Sequence, residues 1–255
     1  MIRNTFSIVN GIGEKIEKRL WEKGILTWSD FINASNLTFF SPQKKILYDK
    51  FLISASNELE NNNANYFANF IKRREHWRLF DIFKKNAICL DIETNGLMPE
   101  NGGYITLIGI YDGFDYRCLI RDIDLTDENL INAISGYKYL ITFYGSAFDI
   151  PFILRSMKEI KFNIPHFDVC LGARRIGCKG GLKKLEIETG IERDENVKGM
   201  DGYDAVKLWG YAKQGSSEAL ELLRIYNKED TVNLFKIAEI IYQKLRSKTG
   251  IDEYL

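Results

Sequence analysis

The stretch AICLDIETNGL, Ala87 to Leu97, decides how the rest of the chain is read. Its first eight residues are rich in apolar and β-branched side chains and end at the turn pair Asn95-Gly96, as a strand does. Strand side chains alternate between faces, so Asp91 and Glu93, at i and i+2, point the same way. They lie at the C-terminal end of the strand, where sites collect in α/β sheets.

Three further runs downstream, YITLIGIYD, DYRCLIRDI and YLITFYG, have the same character. Short loops separate the first three strands, which predicts an antiparallel meander. DENLINAIS, before the fourth, reads as a helix. Asp149 follows the fourth strand and opens a helix in which Pro151 suits the first turn. HFDVC is a short fifth strand. From Leu182 the chain is mostly helical, with breaks at 190–202 and 214–217. Strands, a crossover helix, another strand and then helices predict an α/β fold: a mixed central sheet of about five strands, the first three antiparallel, flanked by helices.

Upstream, residues 1–84 read as a small helical N-terminal region, and 85–255 as the sheet domain. A helix is expected over Ile12 to Lys23, stopped by Gly24. A second is expected over Thr27 to Phe31, with Ser29 or Asp30 near its start. One or two more should fill Ser41 to Phe83, interrupted at Asn61-Asn62-Asn63.

The chain has 255 residues and a formal net charge of zero, so any polyanion must be met by local patches rather than by a global field. No long uncharged apolar run could span a bilayer, and no membrane partner is expected. The start, MIRNTFSIVNGIGEKIEKRL, carries charge throughout and has no leader-like apolar core, which predicts a cytoplasmic protein. Four cysteines without a CxxC pair, beside only two histidines, argue against a structural zinc site.

Tyr226 and Asp230 are four apart in IYNKEDTVNL, which puts them on one helical face. Together with Asp91, Glu93 and Asp149 they make a set of four carboxylates and a tyrosine from three separated stretches. Carboxylates brought together repel one another, and a divalent cation is the best explanation for them. Taken singly, each has a plainer reading: a solvated turn for the DxE pair, a helix cap for Asp149, a helix surface for Asp230.

Taken together, DIET, GSAFDIPF and YNKED resemble the three motifs of DEDD exonucleases in the ribonuclease H-like superfamily. The tyrosine four residues before the last aspartate marks the DEDDy branch. HFDVCLGARR, GGLKKLE, MDGYDAVKLW and ALELLRIYNKEDTVNL resemble uncharacterised ribonuclease H-like exonucleases of bacteria and archaea, over roughly 87–238. The resemblance implies two Mg²⁺ or Mn²⁺ ions: Asp91 would bridge them, Glu93 and Asp230 would complete the site of the ion that activates water, and Asp149 would hold the second. Tyr226 would orient the attacking water, being a poor base near neutral pH. Two ions about 4 Å apart stabilise both the attacking and the leaving oxygen of a phosphodiester. The implied activity is 3′–5′ exonuclease action on single-stranded DNA or RNA. Thr94, Leu97, Tyr144 and Lys183 would contact that substrate. Tyr144 stands where relatives often have Asn, and could stack on a base. Asp168 and Asp204 are assigned to caps or local hydrogen bonds.

Two basic stretches could meet phosphates: Lys72-Arg73-Arg74 through Arg78, with His76, Trp77 and Phe80 interleaved, and Arg174-Arg175 with Lys179, Lys183 and Lys184 around Gly180-Gly181. A solvated helix face is the competing reading for both. VNGIGEKIEKRLWEKGI resembles a helix-hairpin-helix motif, with Gly11-Ile12-Gly13 as its amide-presenting turn; a packing role competes there. Two other functional readings stay open: a nucleic-acid binding module with a vestigial site, and a structure-specific endonuclease.

Overall fold

The structure is a computed structural model that describes residues 1–35 and 37–255. Its helices before the sheet are α1 (Glu14–Glu22), α2 (Trp28–Asn33), α3 (Pro42–Glu60), α4 (Ala64–Phe70) and α5 (Phe80–Phe83). The strands are β1 (Ala87–Thr94), β2 (Ile105–Tyr111), β3 (Tyr116–Ile120), β4 (Tyr139–Thr142) and β5 (His166–Asp168). Between and after them come α6 (Asp127–Ile134), α7 (Asp149–Ser156), α8 (Val169–Arg175), α9 (Leu182–Thr189), α10 (Gly202–Lys213) and α11 (Ser217–Thr249).

The sheet order is β3-β2-β1-β4-β5. β1–β2 and β2–β3 pair antiparallel, whereas β1–β4 and β4–β5 pair parallel. The expected meander and mixed α/β sheet are both present. The β2–β3 hairpin closes at Asp112, whose carboxylate accepts the Phe114 and Asp115 N–H groups at 3.0 and 2.9 Å.

The two faces of β1 have different fates. Ile88, Leu90 and Ile92 join a core with Ile108, Ile110, Leu140 and the α6–α7 side. Ala87 and Cys89 face the other way, in a core with Leu234, Ile237 and Ile241 of α11. Asp91 and Glu93 continue that second face by alternation. The interface between sheet and long helix therefore passes from apolar to polar toward the C-terminal end of β1. No described helix is long and apolar enough to cross a membrane.

The helices before β1 share this second core. Phe80 packs against Tyr139, Phe167 and Tyr242, and the Tyr139 hydroxyl donates to the His76 carbonyl at 2.8 Å. Arg78 is buried between Glu17 at 3.0 Å and Glu75 at 2.8 Å. Glu17 also accepts the Phe6 and Ser7 N–H groups. The Thr27 hydroxyl and Asp30 carboxylate form a reciprocal capping box on α2.

One expectation is corrected here. The one or two helices expected over Ser41 to Phe83 are instead α3, α4, a 3₁₀ segment Arg73–Leu79, in which Glu75, His76, Trp77, Arg78 and Leu79 are all buried, and α5. A run enclosed on every side has no amphipathic stripe to display. His76, Trp77, Arg78 and Phe80 are therefore core residues and do not face a phosphate; only Lys72, Arg73 and Arg74 of that stretch are exposed. In the helix-hairpin-helix-like segment, Gly13 is the N-cap of α1, and the chain before that turn holds a single 3₁₀ turn, Ile2–Asn4.

Candidate metal and active site

Three elements deliver the acidic set. β1 contributes Asp91 and Glu93, α7 contributes Asp149 as its first residue, and α11 contributes Tyr226 and Asp230. All five line one cleft of about 390 Å³, together with Thr94, Leu97 and Tyr144. Oxygen atoms of Asp91, Glu93 and Asp230 lie within 4.8 Å of one another. Asp149 stands outside that trio, against β1, where it accepts the Ile92 N–H at 3.2 Å. Lys183, on α9, brings its Nζ to 3.4 Å from the Tyr226 hydroxyl and 5.1 Å from the centre of that ring.

The cost of this grouping appears in the proton affinities. Burial, reinforced by Asp149, Glu93 and Asp230, pushes the Asp91 carboxyl well above its ordinary range. Burial and Asp230 push Glu93 up to about 8, against the opposing hydrogen bond from Asn227. Burial pushes Asp149 up to about 7, opposed by its own and the Ile92 N–H groups. Asp230 is raised by burial and held down by Arg193. The Tyr226 hydroxyl, raised by burial and by Asp230 and Glu93, keeps its proton. Clustered, desolvated carboxylates of this kind suit a divalent cation, and an all-oxygen donor set suits a hard ion such as Mg²⁺ or Mn²⁺.

Three residues absent from the expected site hold it together. Asn227, fully buried, donates from Nδ2 to Asp91 at 2.8 Å and to Glu93 at 3.2 Å. Its Oδ1 accepts from the Tyr116 hydroxyl at 3.0 Å, which fixes the orientation of the amide. Gly109 stands opposite Asp91 in the β1–β2 register, and a Cβ there would come within 1.8 Å of Asn227 Oδ1. Arg193, from the loop after α9, bonds both oxygens of buried Glu186, at 2.6 and 2.9 Å, and also pairs with Asp230. A signal for Asn227 was available, because Asn227, Thr231 and Leu234 share a buried face of α11 with Tyr226. For Gly109 and Arg193 the sequence carries none.

Thr94 accepts the Gly96 N–H at 3.2 Å and shapes the turn that presents Leu97, half-exposed at the cleft. Tyr144 occupies the left-handed region at φ 62°, uncommon for a bulky residue. Its N–H and that of Ser146 each donate to a different oxygen of Asp168 at 3.0 Å, and Asp168 also caps α8. Asp204 forms a capping box with Asp201 on α10. Both aspartates thus have the local roles expected of them, and Asp168 in addition anchors the loop beneath Tyr144.

A solved structure described as "apo form of the nuclease" is similar over 72% of this chain and 82% of its own, at 20% identity and a TM-score of 0.50. At that identity the likeness bears on the fold alone. Among curated proteins, none matches. The family described as RNase_H superfamily matches residues 88–242, from β1 through most of α11. That span is more than half of the chain and contains every carboxylate of the cleft; the protein belongs to the RNase H superfamily.

Proposed function

We propose that the protein is a metal-dependent nuclease of the DEDDy kind, which hydrolyses phosphodiester bonds at single-stranded ends in the 3′–5′ direction. The observation that carries this reading is the convergence of the Asp91, Glu93 and Asp230 oxygens within 4.8 Å, in an open cleft that Tyr226 also lines. Asp91, Glu93 and Asp230 would hold one Mg²⁺ or Mn²⁺, and Asp91 with Asp149 a second. Bound there, such ions supply Lewis-acid stabilisation of the attacking and leaving oxygens.

The chain's own residues supply the positioning. Tyr226 keeps its hydroxyl proton, so it orients the attacking water by hydrogen bonding rather than by removing a proton. Lys183, beside that hydroxyl, adds a positive charge suited to a phosphate. Asn227 sets the orientation of both β1 carboxylates. Half-exposed Tyr144 and Leu97 offer apolar surface to a terminal base. Water adds to phosphorus and the bond to the 3′ oxygen breaks; the shortened strand keeps a 3′-hydroxyl, and a nucleoside 5′-monophosphate leaves.

Digestion of end-labelled single- and double-stranded DNA and RNA with Mg²⁺, Mn²⁺ or EDTA tests the reading. A ladder shortening from the 3′ end, lost with EDTA and in Asp91→Ala, is expected. Full activity in Asp91→Ala would refute the assignment. Cleavage of a circular single strand would replace the exonuclease with an endonuclease, and metal-independent binding without turnover would leave a binding module.

A further inference from the structure

Two basic stretches about 100 residues apart in sequence meet beside the cleft. Arg175, at the end of α8, donates to the Arg74 carbonyl at 2.6 Å. Arg73, Arg74 and Arg175 line a groove of about 290 Å³ between the 3₁₀ segment and α8. Ser146 lines the same groove, while its neighbours Tyr144 and Phe148 line the acidic cleft, so one short loop is the wall between the two. Arg174 lies outside the groove's lining, and its guanidinium is 5.5 Å from the centre of the Tyr144 ring, at the loop that separates groove from cleft.

The charges in and beside this groove divide into two sets. Arg175 is engaged by Glu75 at 3.3 Å and is structural. Arg73 and Arg174 are exposed and make no ion pair among the described residues; Arg74 touches Glu75 at 3.4 Å but is 68% exposed. The one carboxylate on the groove's wall, Asp168, has both oxygens occupied by backbone N–H groups. Leu171 contributes a half-exposed apolar surface within the same lining.

We propose that this groove carries the strand of single-stranded nucleic acid leaving the acidic cleft. Arg73, Arg74 and Arg174 take successive phosphates, and Tyr144 and Leu171 take the unpaired bases, whose open faces need apolar or aromatic platforms. The inference rests on the nuclease reading for the direction of the strand. It extends that reading into a segment outside the 88–242 family match, because Lys72–Arg74 precede β1.

The test is designed not to depend on turnover. Asp91→Asn protein is titrated, by fluorescence anisotropy over a range of NaCl, with labelled single-stranded oligonucleotides of about four and about twelve nucleotides. The same is done with Arg73→Glu/Arg74→Glu and, separately, Arg174→Glu added to that background. In the parent, the longer strand should bind more tightly. In either variant that gain with length should shrink, and in the double variant the salt slope should fall by roughly 1.4, at about 0.7 per phosphate contact on a single strand. Matching thermal midpoints would exclude misfolding at these exposed positions. An unchanged length dependence in the variants, or none in the parent, overturns the proposal. A length dependence lost in the variants, when the chain with Asp91 intact shows no turnover with either metal, upholds the groove while removing the nuclease reading.

Discussion

Asp91 takes its hydrogen bond from Asn227 across a space that only a glycine leaves open. A Cβ at Gly109 would also come within 2.6 Å of Thr231 Oγ1, so Gly109→Ala must displace α11 or turn the Asn227 amide away. A misplacement of about 1 Å near reacting groups costs on the order of 10²-fold in rate. Gly109→Ala should lose activity on that scale, with about 1–3 kcal/mol of overpacking read as a lower thermal midpoint. Retention of full turnover would show that Asn227 does not position the carboxylates. The carboxylates also set a pH signature. A carboxyl raised in the folded state contributes stability that is present below its unfolded value and lost as pH rises through the folded one. For Glu93 that window runs from 4.5 to about 8, and for Asp149 from 3.8 to about 7. His166, lowered to about 4 by burial, and His76, also lowered by burial, act in the opposite sense: their contribution is present above 6.5 and lost as pH falls. Above pH 6.5 the histidine effect is spent, and the raised carboxyls of Asp91, Glu93 and Asp149 act against the Met1 amine, which burial lowers from 8.0. The metal-free protein should therefore lose denaturant midpoint between pH 6.5 and 8. Added Mg²⁺ or Mn²⁺ should abolish that loss, and Asp91→Asn should flatten it and raise the metal-free midpoint.

At the scale of elements, the loop between β4 and α7 is held by a residue from another strand. Asp168 ends β5 and accepts the N–H groups of Tyr144 and Ser146 while capping α8. A left-handed φ on a tyrosine persists only where its surroundings over-determine it. Asp168→Asn replaces one acceptor with an NH₂ group that faces a backbone N–H, so it should release the loop. The expected outcome is a raised KM for single-stranded substrate together with faster amide exchange at Tyr144 and Ser146. Unchanged exchange there would show that the loop holds its shape without Asp168. The pairing of β1 with α11 is of a different kind, since the same interface is apolar from Cys89 to Ile241 and polar from Asp91 to Asn227. Packing at the apolar end fixes the polar end to which it is continuous.

Across the whole molecule, the segment before β1 is tied to the sheet domain by aromatic packing and knit together internally by one buried ionic group. Arg78 lies between Glu17 and Glu75 and donates to Thr5 at 3.2 Å, with 2% of its side chain exposed. Removing it strands two buried carboxylates. Arg78→Ala should cost about 3–5 kcal/mol, measured by chemical denaturation. A loss below about 1 kcal/mol would mean that the N-terminal segment contributes little to global stability. The same packing holds Lys72, Arg73 and Arg74 beside α8.

The strands, their antiparallel start and the pairing of acidic residues were all legible in the chain, because they follow from local periodicity. Alternation puts Asp91 and Glu93 on one face of a strand, and helical spacing puts Tyr226 and Asp230 on one face of a helix. The sequence also separated Asp168 and Asp204 from the acidic set. What surrounds the carboxylates is set by long-range packing. Asn227, set against Gly109, reaches Asp91 across 136 residues and Arg193 reaches Asp230 across 37, and no local pattern encodes such distances. The basic stretch from Lys72 to Arg78 was legible as charge but not as burial: three exposed cations and one buried arginine look alike in sequence, and the shared core set them apart.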